Sequence, residues 1–246
     1  MSWLADAAAR LDTVLVGQEA QPFLGREQTG PSAEDAARRL PERHRALETL
    51  TRAADSPARL AVGLISWVAA VVGDAGLAYS LWTGAPSWQR VAAPAAGLAL
   101  SVVALAAGVQ VWRAGRRVVD ALCWWTLLPE RLPHGGEGVE QWRALPVLDA
   151  VEARVFLARG WRPLRLLAGA AAFVSPLAFI ALALQGGPRY TPTWQDGQGP
   201  AVTVFVLLLA TAGVVAGTVV LGGLVRANRA QAERDPVQRG LLGRDA

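Results

Sequence analysis

Four long apolar runs divide this chain, residues 60–82, 91–112, 166–184 and 201–225, and the charged residues gather between them. A bilayer-crossing helix needs about 20 predominantly apolar residues, so each run predicts a transmembrane helix. Asp74 is the one ordinarily charged residue inside the runs. The connection over 83–90 is short, which makes the first two spans antiparallel neighbours; a longer loop over 185–200 joins the third and fourth. The expected fold is all-α: a polytopic membrane protein of four spans arranged as two helical hairpins.

The polar segments carry helical patterns of their own. Residues 2–16 place Trp3, Leu4, Ala7, Leu11, Val14 and Leu15 on one face, with Asp6, Arg10 and Asp12 elsewhere. Such a helix either docks on the protein or lies in the membrane plane; the scarcity of basic residues on its polar face favours docking. The same charges argue against the apolar core of a secretory leader. Residues 18–31, with Pro22, Gly25, Gly30 and Pro31, read as a linker. A short helix from Ser32 stops at Pro41, and a second covers 42–55. Ser56-Pro57 then supplies an N-cap and a first-turn proline for the first span. The second span is predicted to continue as helix past Arg113, Arg116 and Arg117 until Pro129. A helix over 147–159 precedes the third span. The chain thus divides into N-terminal helices and linker (1–56), a hairpin (57–112), a helical connector (113–162), a second hairpin (163–225) and a basic tail (226–246).

The two hairpins resemble each other. Pro86-Ser87-Trp88-Gln89 returns as Pro192-Thr193-Trp194-Gln195, a displacement of 106, and Pro94 returns as Pro200. Upstream, Pro57, Arg59, Leu60 and Gly63 map onto Pro163, Arg165, Leu166 and Gly169, and Trp67 onto Phe173. Proline, tryptophan and glutamine matches at one fixed displacement are not dictated by membrane composition, so the sequence reads as a duplicated unit. Arg113-Ala114-Gly115-Arg116 is echoed by Arg226-Ala227-Asn228-Arg229 at a displacement of 113, so the second copy holds about seven extra residues and the register slips inside the fourth span.

Charge sets the orientation. All 24 basic residues are Arg, and only Arg90 and Arg189 fall in the hairpin loops, leaving 24 − 2 = 22 on the other side. Positive flanks stay cytoplasmic. The reading is therefore a cell-membrane protein, in bacterial terms an inner-membrane one, with both termini inside and both Pro-Trp-Gln loops outside. Both copies then share one orientation and are related by an axis along the membrane normal. The arginines flank apolar spans, which speaks for membrane topology and against nucleic-acid binding. Cys123 is the single cysteine and His44 and His134 the only histidines, so no disulfide, zinc site or other cofactor is expected.

Few residues offer chemistry. An ionised Asp74 would cost about 2.5–3.5 kcal/mol at mid-membrane, which calls for a partner. Ser101, Ser175 and Thr211 lie at similar depth, so Asp74 is either a hydrogen-bonding clamp between spans or part of an ion site; its counterpart in the second copy is Ile180. Gly213 with Gly217, and Ala93, Gly97 and Ser101, repeat every four residues and would let helices approach closely, within the monomer or between subunits. Pro86, Trp88, Gln89, Pro192, Trp194 and Gln195 read as interfacial anchors or as an outer rim that meets a partner. Pro176 could kink the third span or simply pack. No set of residues fills a catalytic template. The expected function is a non-enzymatic scaffold or accessory subunit with a protein partner or second copy; the alternative is an oligomeric ion or small-solute channel with Asp74 near the pathway.

Overall fold

The computed structural model of the chain describes residues 2–25, 38–82, 86–131, 160–185 and 199–235. Among these residues every regular element is helical and no strand occurs. The helices are α1 (Ser2–Val16), α2 (Arg43–Ala54), α3 (Pro57–Tyr79), α4 (Ser87–Thr126), α5 (Arg162–Gln185) and α6 (Gly199–Ala232). Short 3-10 stretches occupy Gln18–Phe23, Leu40–Glu42 and Leu128–Arg131. Three helical stretches among the described residues are long and apolar enough to cross a membrane: Leu40–Tyr79, Ser87–Thr126 and Ala201–Ala232. Helix α5, which covers the third apolar run, has 24 residues. The helix expected over 147–159 and the loop carrying Pro192, Trp194 and Gln195 lie outside the described residues.

The chain forms two compact units: Met1–Ala58, Arg113–Leu164 and Gly222–Ala246 in the first, Arg59–Trp112 and Arg165–Leu221 in the second. Helix α4 contributes to both, and one of its faces explains how. Gly97, Ala104, Val118 and Trp125 are all buried and stand at multiples of seven residues, the spacing that keeps a single seam along a helix. The seam grows from glycine to tryptophan, so α4 makes close backbone contact at one end and anchors an aromatic core at the other.

The first unit is built on that aromatic end. Trp125 is fully buried, donates its indole N–H to the Phe23 carbonyl at 3.1 Å, and packs edge-on against the Phe23 ring. Trp124, Leu122, Leu50 and Leu15 fill the remainder. Buried Arg43 donates Nε to the Trp125 carbonyl at 3.0 Å and Nη2 to the Thr126 carbonyl at 3.3 Å. These are orphan carbonyls at the end of α4, so one guanidinium satisfies both and complements the negative end of the helix dipole. Helix α1 docks through buried Leu15 and Val16 and through an ion pair between Asp12 and Arg117.

Two sequence expectations need correction. Gln18–Phe23, read as part of a linker, is a 3-10 helix with Ala20 and Phe23 buried; the Trp125 contact overrides its polar, proline-containing composition. The connection read over 83–90 is displaced towards the N-terminus, because α3 ends at Tyr79 and α4 starts at Ser87. Trp88 and Gln89 therefore lie in the first turn of that helix, and the Pro86 carbonyl accepts from the backbone N–H groups of Gln89 and Arg90.

The second unit contains the apolar lengths of the helices. Along α3, Leu64, Ile65, Val68 and Val72 form an exposed face, while Ser66 and Gly73 are buried opposite. Along α4, Val91, Leu98, Val102 and Leu105 are exposed in the same way.

Candidate functional site

The tightest contact in the second unit is between bare backbones. A Cβ placed on Gly97 would stand 2.6 Å from the Gly73 carbonyl oxygen and 2.9 Å from the Leu77 nitrogen; one on Gly76 would meet the Ala93 carbonyl at 3.0 Å. No real side chain tolerates the first of these separations, so Gly73 and Gly97 let α3 and α4 touch through their main chains. Ala93, Gly97 and Ser101, picked out from their four-residue spacing, all lie at this contact.

Asp74 follows Gly73 at the edge of the contact and is half-buried. Its carboxyl group lies beside the Ser101 hydroxyl. The pair does not complete hydrogen-bond geometry, because Ser101 Oγ is buried and makes no aligned bond. Of the other hydroxyls expected near Asp74, only that of Thr211 falls among the described side chains. The Thr211 hydroxyl is exposed and donates to the Leu207 carbonyl of its own helix at 2.9 Å, and the Ser175 side chain lies outside the described residues. What remains is one carboxyl group and one orphaned hydroxyl against a glycine seam. That arrangement can hold a proton, a small cation or a polar atom from a neighbouring molecule.

At the end of the same hairpin, Tyr79 donates its hydroxyl to Gln89 Oε1 at 2.7 Å, tying the last residue of α3 to the first turn of α4. Tyr79 also stacks edge-on against Trp82 at 5.3 Å. Beside this bond lies an open groove of about 580 Å³ lined by Ala75, Gly76, Tyr79, Trp88, Gln89, Ala92 and Ala93. The repeat motif drew attention to Trp88 and Gln89 but not to Tyr79. The available signal was an aromatic hydroxyl one turn before a predicted helix end, the depth at which a polar tip is solvated.

In the second hairpin, Gly213 and Gly217 are both buried. A Cβ on Gly217 would stand 2.9 Å from the Gly169 carbonyl oxygen and 2.9 Å from the Phe173 Cβ, so α5 and α6 also meet at glycine. In the first hairpin the neighbour of Gly63 is Val111, at 3.8 Å from its missing Cβ. Gly63 with Val111 and Gly169 with Gly217 are the same pair of positions displaced by 106.

The first unit has a charge ladder along α4 and α6. Arg226 Nη1 lies 2.7 Å from Asp120 Oδ1, and Arg116 Nε lies 3.5 Å from the other oxygen. Arg229 pairs with Glu233 at 3.4 Å within α6 and its end. Cys123 Sγ is 3.8 Å from the Arg226 carbonyl. Among the described residues no group of three or more His, Cys, Asp or Glu side chains could hold a metal ion. No family model matches this chain, and no curated protein and no solved structure matches it either.

Proposed function

We propose that this is a four-span, non-enzymatic cell-membrane protein built from two duplicated hairpins, and that it serves as a scaffold or accessory subunit of a membrane complex. The span that this reading adds to the three long apolar stretches is α5, the third in chain order. The observation that carries the reading is the exposed apolar face of α3, where Leu64 and Ile65 keep 60% and 67% of their surface in the monomer. Faces of this kind must be covered by lipid or by another apolar helix. The first unit, by contrast, is cored by tryptophan and cross-tied by ion pairs, as a fixed platform for a soluble partner requires.

Three matches support the duplication. The Gly63–Val111 and Gly169–Gly217 contacts share one register, 106 apart at both members. Arg226 stands beside Asp120, seven residues beyond Arg113, as a seven-residue insertion in the second copy would require. The intrahelical pairs Arg116–Asp120 and Arg229–Glu233 repeat at the displacement of 113. The seven extra residues then carry Arg226 about 10 Å beyond the level of Arg113, as an inward extension of the fourth span. With the arginine asymmetry, both termini face the cytoplasm.

Photo-crosslinkers at Leu64 and Ile65, activated in native membranes, test the scaffold reading. It predicts adducts to one discrete protein or to a second copy, identified by mass spectrometry. Lipid adducts alone contradict it. A second reading, a conduit for an ion or small solute, draws on the orphaned Ser101 hydroxyl beside Asp74. Flux into liposomes that is lost in Asp74→Asn favours the conduit over the scaffold.

A further inference from the structure

Among the described residues Arg113 is set apart from the arginines around it. Arg116 and Arg226 share Asp120, and Arg117 pairs with Asp12. Arg113, exposed and one turn nearer the apolar run, has no ion pair or hydrogen bond from its side chain. The preceding residue, Trp112, is 41% exposed at the end of the apolar run, as a side chain at headgroup level would be.

The neighbouring helix leaves room. Helices α4 and α6 meet where Arg226 reaches Asp120. One turn back along each helix, Arg116 and Arg117 on α4 come level with Gly222 and Gly223 on α6. A Cβ added to either glycine would find nothing within 4 Å. Two glycines that face open space at that depth, beside a row of guanidinium groups, form a shelf for a compact anion.

We propose that this shelf binds the phosphate of an anionic phospholipid headgroup, with Arg113 as its principal cation and Gly222 and Gly223 providing the space. Arg113 supplies a fork-shaped donor suited to phosphate oxygens, and the acyl chains continue along the exposed apolar face of α4. The inference rests on the membrane reading above.

The test uses the full chain in neutral detergent, with its thermal stability and lipid retention by native mass spectrometry followed on addition of phosphatidylglycerol, phosphatidylcholine or inorganic phosphate. Phosphatidylglycerol is expected to be retained and to raise the midpoint, and phosphatidylcholine is not. Arg113→Gln should weaken phosphatidylglycerol binding about fivefold, the ~1 kcal/mol that one basic residue contributes near an anionic surface. Gly222→Leu should block binding while leaving the unliganded midpoint in place, because its side chain enters open space. Arg45→Gln, which removes an exposed charge on α2, serves as the control and should change nothing. If Arg45→Gln weakens binding as much as Arg113→Gln, or if Gly222→Leu binds normally, the site is wrong. Stabilisation by inorganic phosphate equal to that by phosphatidylglycerol would overturn the lipid as its ligand. Failure here with the expected cysteine topology intact would reject the lipid site and leave the four-span reading standing.

Discussion

Arg162 grips Asp55 with two arms: Nε lies 3.1 Å from Oδ1 and Nη2 3.1 Å from Oδ2. Asp55 precedes α3 by two residues and Arg162 is the first residue of α5, so the clamp joins the starts of these two helices. The Arg162 side chain is almost fully buried. Gly160 adopts a left-handed conformation, φ 61°, and a Cβ there would come 3.3 Å from Asp55 Oδ2.

Breaking this clamp should cost a large part of the first unit's stability. Asp55→Asn takes a charged partner from nearly buried Arg162, and Arg162→Ala takes one from part-buried Asp55, a loss of about 3 kcal/mol. Arg162→Lys should recover only part of it, because a single ammonium cannot make the two-armed contact. Thermal unfolding in detergent reads the order wild type, Lys, Ala. Equal midpoints for all three would show that the clamp does not hold the helix starts together.

The glycine seam predicts a contrast between two positions on α4. Gly97→Ala drives a Cβ against the Gly73 carbonyl and should destabilise by about 1–3 kcal/mol. Gly108→Ala meets nothing within 4 Å and should be neutral or slightly stabilising, since alanine is the better helix former. Melting curves of the two variants check this directly. The account of the seam fails if Gly97→Ala is tolerated as well as Gly108→Ala.

At the other end of α4, Arg43→Ala should destabilise by about 1.5–3 kcal/mol or more, since it orphans two buried carbonyls that a charged donor now satisfies. Near-UV circular dichroism should report the loss through Trp124 and Trp125, which sit at the same core. An unchanged tryptophan signal together with an unchanged midpoint contradicts the capping role.

The long apolar helices were legible in the sequence and the docked segment was not, for a physical reason. Apolar runs and Ser56-Pro57 at a helix start are local signals. The docking of Gln18–Phe23 depends on Trp125, about a hundred residues away, and no local pattern encodes that contact. Trp88 and Gln89 looked like loop residues because proline precedes them, yet Pro86 also suits the residue just before a helix. At the candidate site, Asp74 stood out by its charge alone. Its neighbour Gly73 and the opposing Gly97 did not, because glycine is so frequent in these spans that one more carries little information.

The proposed duplication carries a prediction about the inserted length. Seven residues are nearly two full turns, so an insertion of that size preserves the face on which Arg229 and Glu233 lie. Deleting residues 218–224 should therefore be better tolerated than deleting four of them, which rotates everything beyond by roughly 40°. Expression and monodispersity of the two deletions provide the comparison, and the argument fails if the four-residue deletion is the better behaved.

The central claim is that both hairpins cross in the same direction, with their turns outside and their termini inside. Single cysteines at Ser87, Gly187, Gly135 and Gly240, each in a Cys123→Ser background, test it through an impermeant maleimide applied to intact cells. The account predicts labelling at Ser87 and Gly187, and labelling at Gly135 and Gly240 only after the membrane is permeabilised. Labelling of Ser87 without Gly187 in intact cells would contradict it, since the second hairpin would then not cross as the first does.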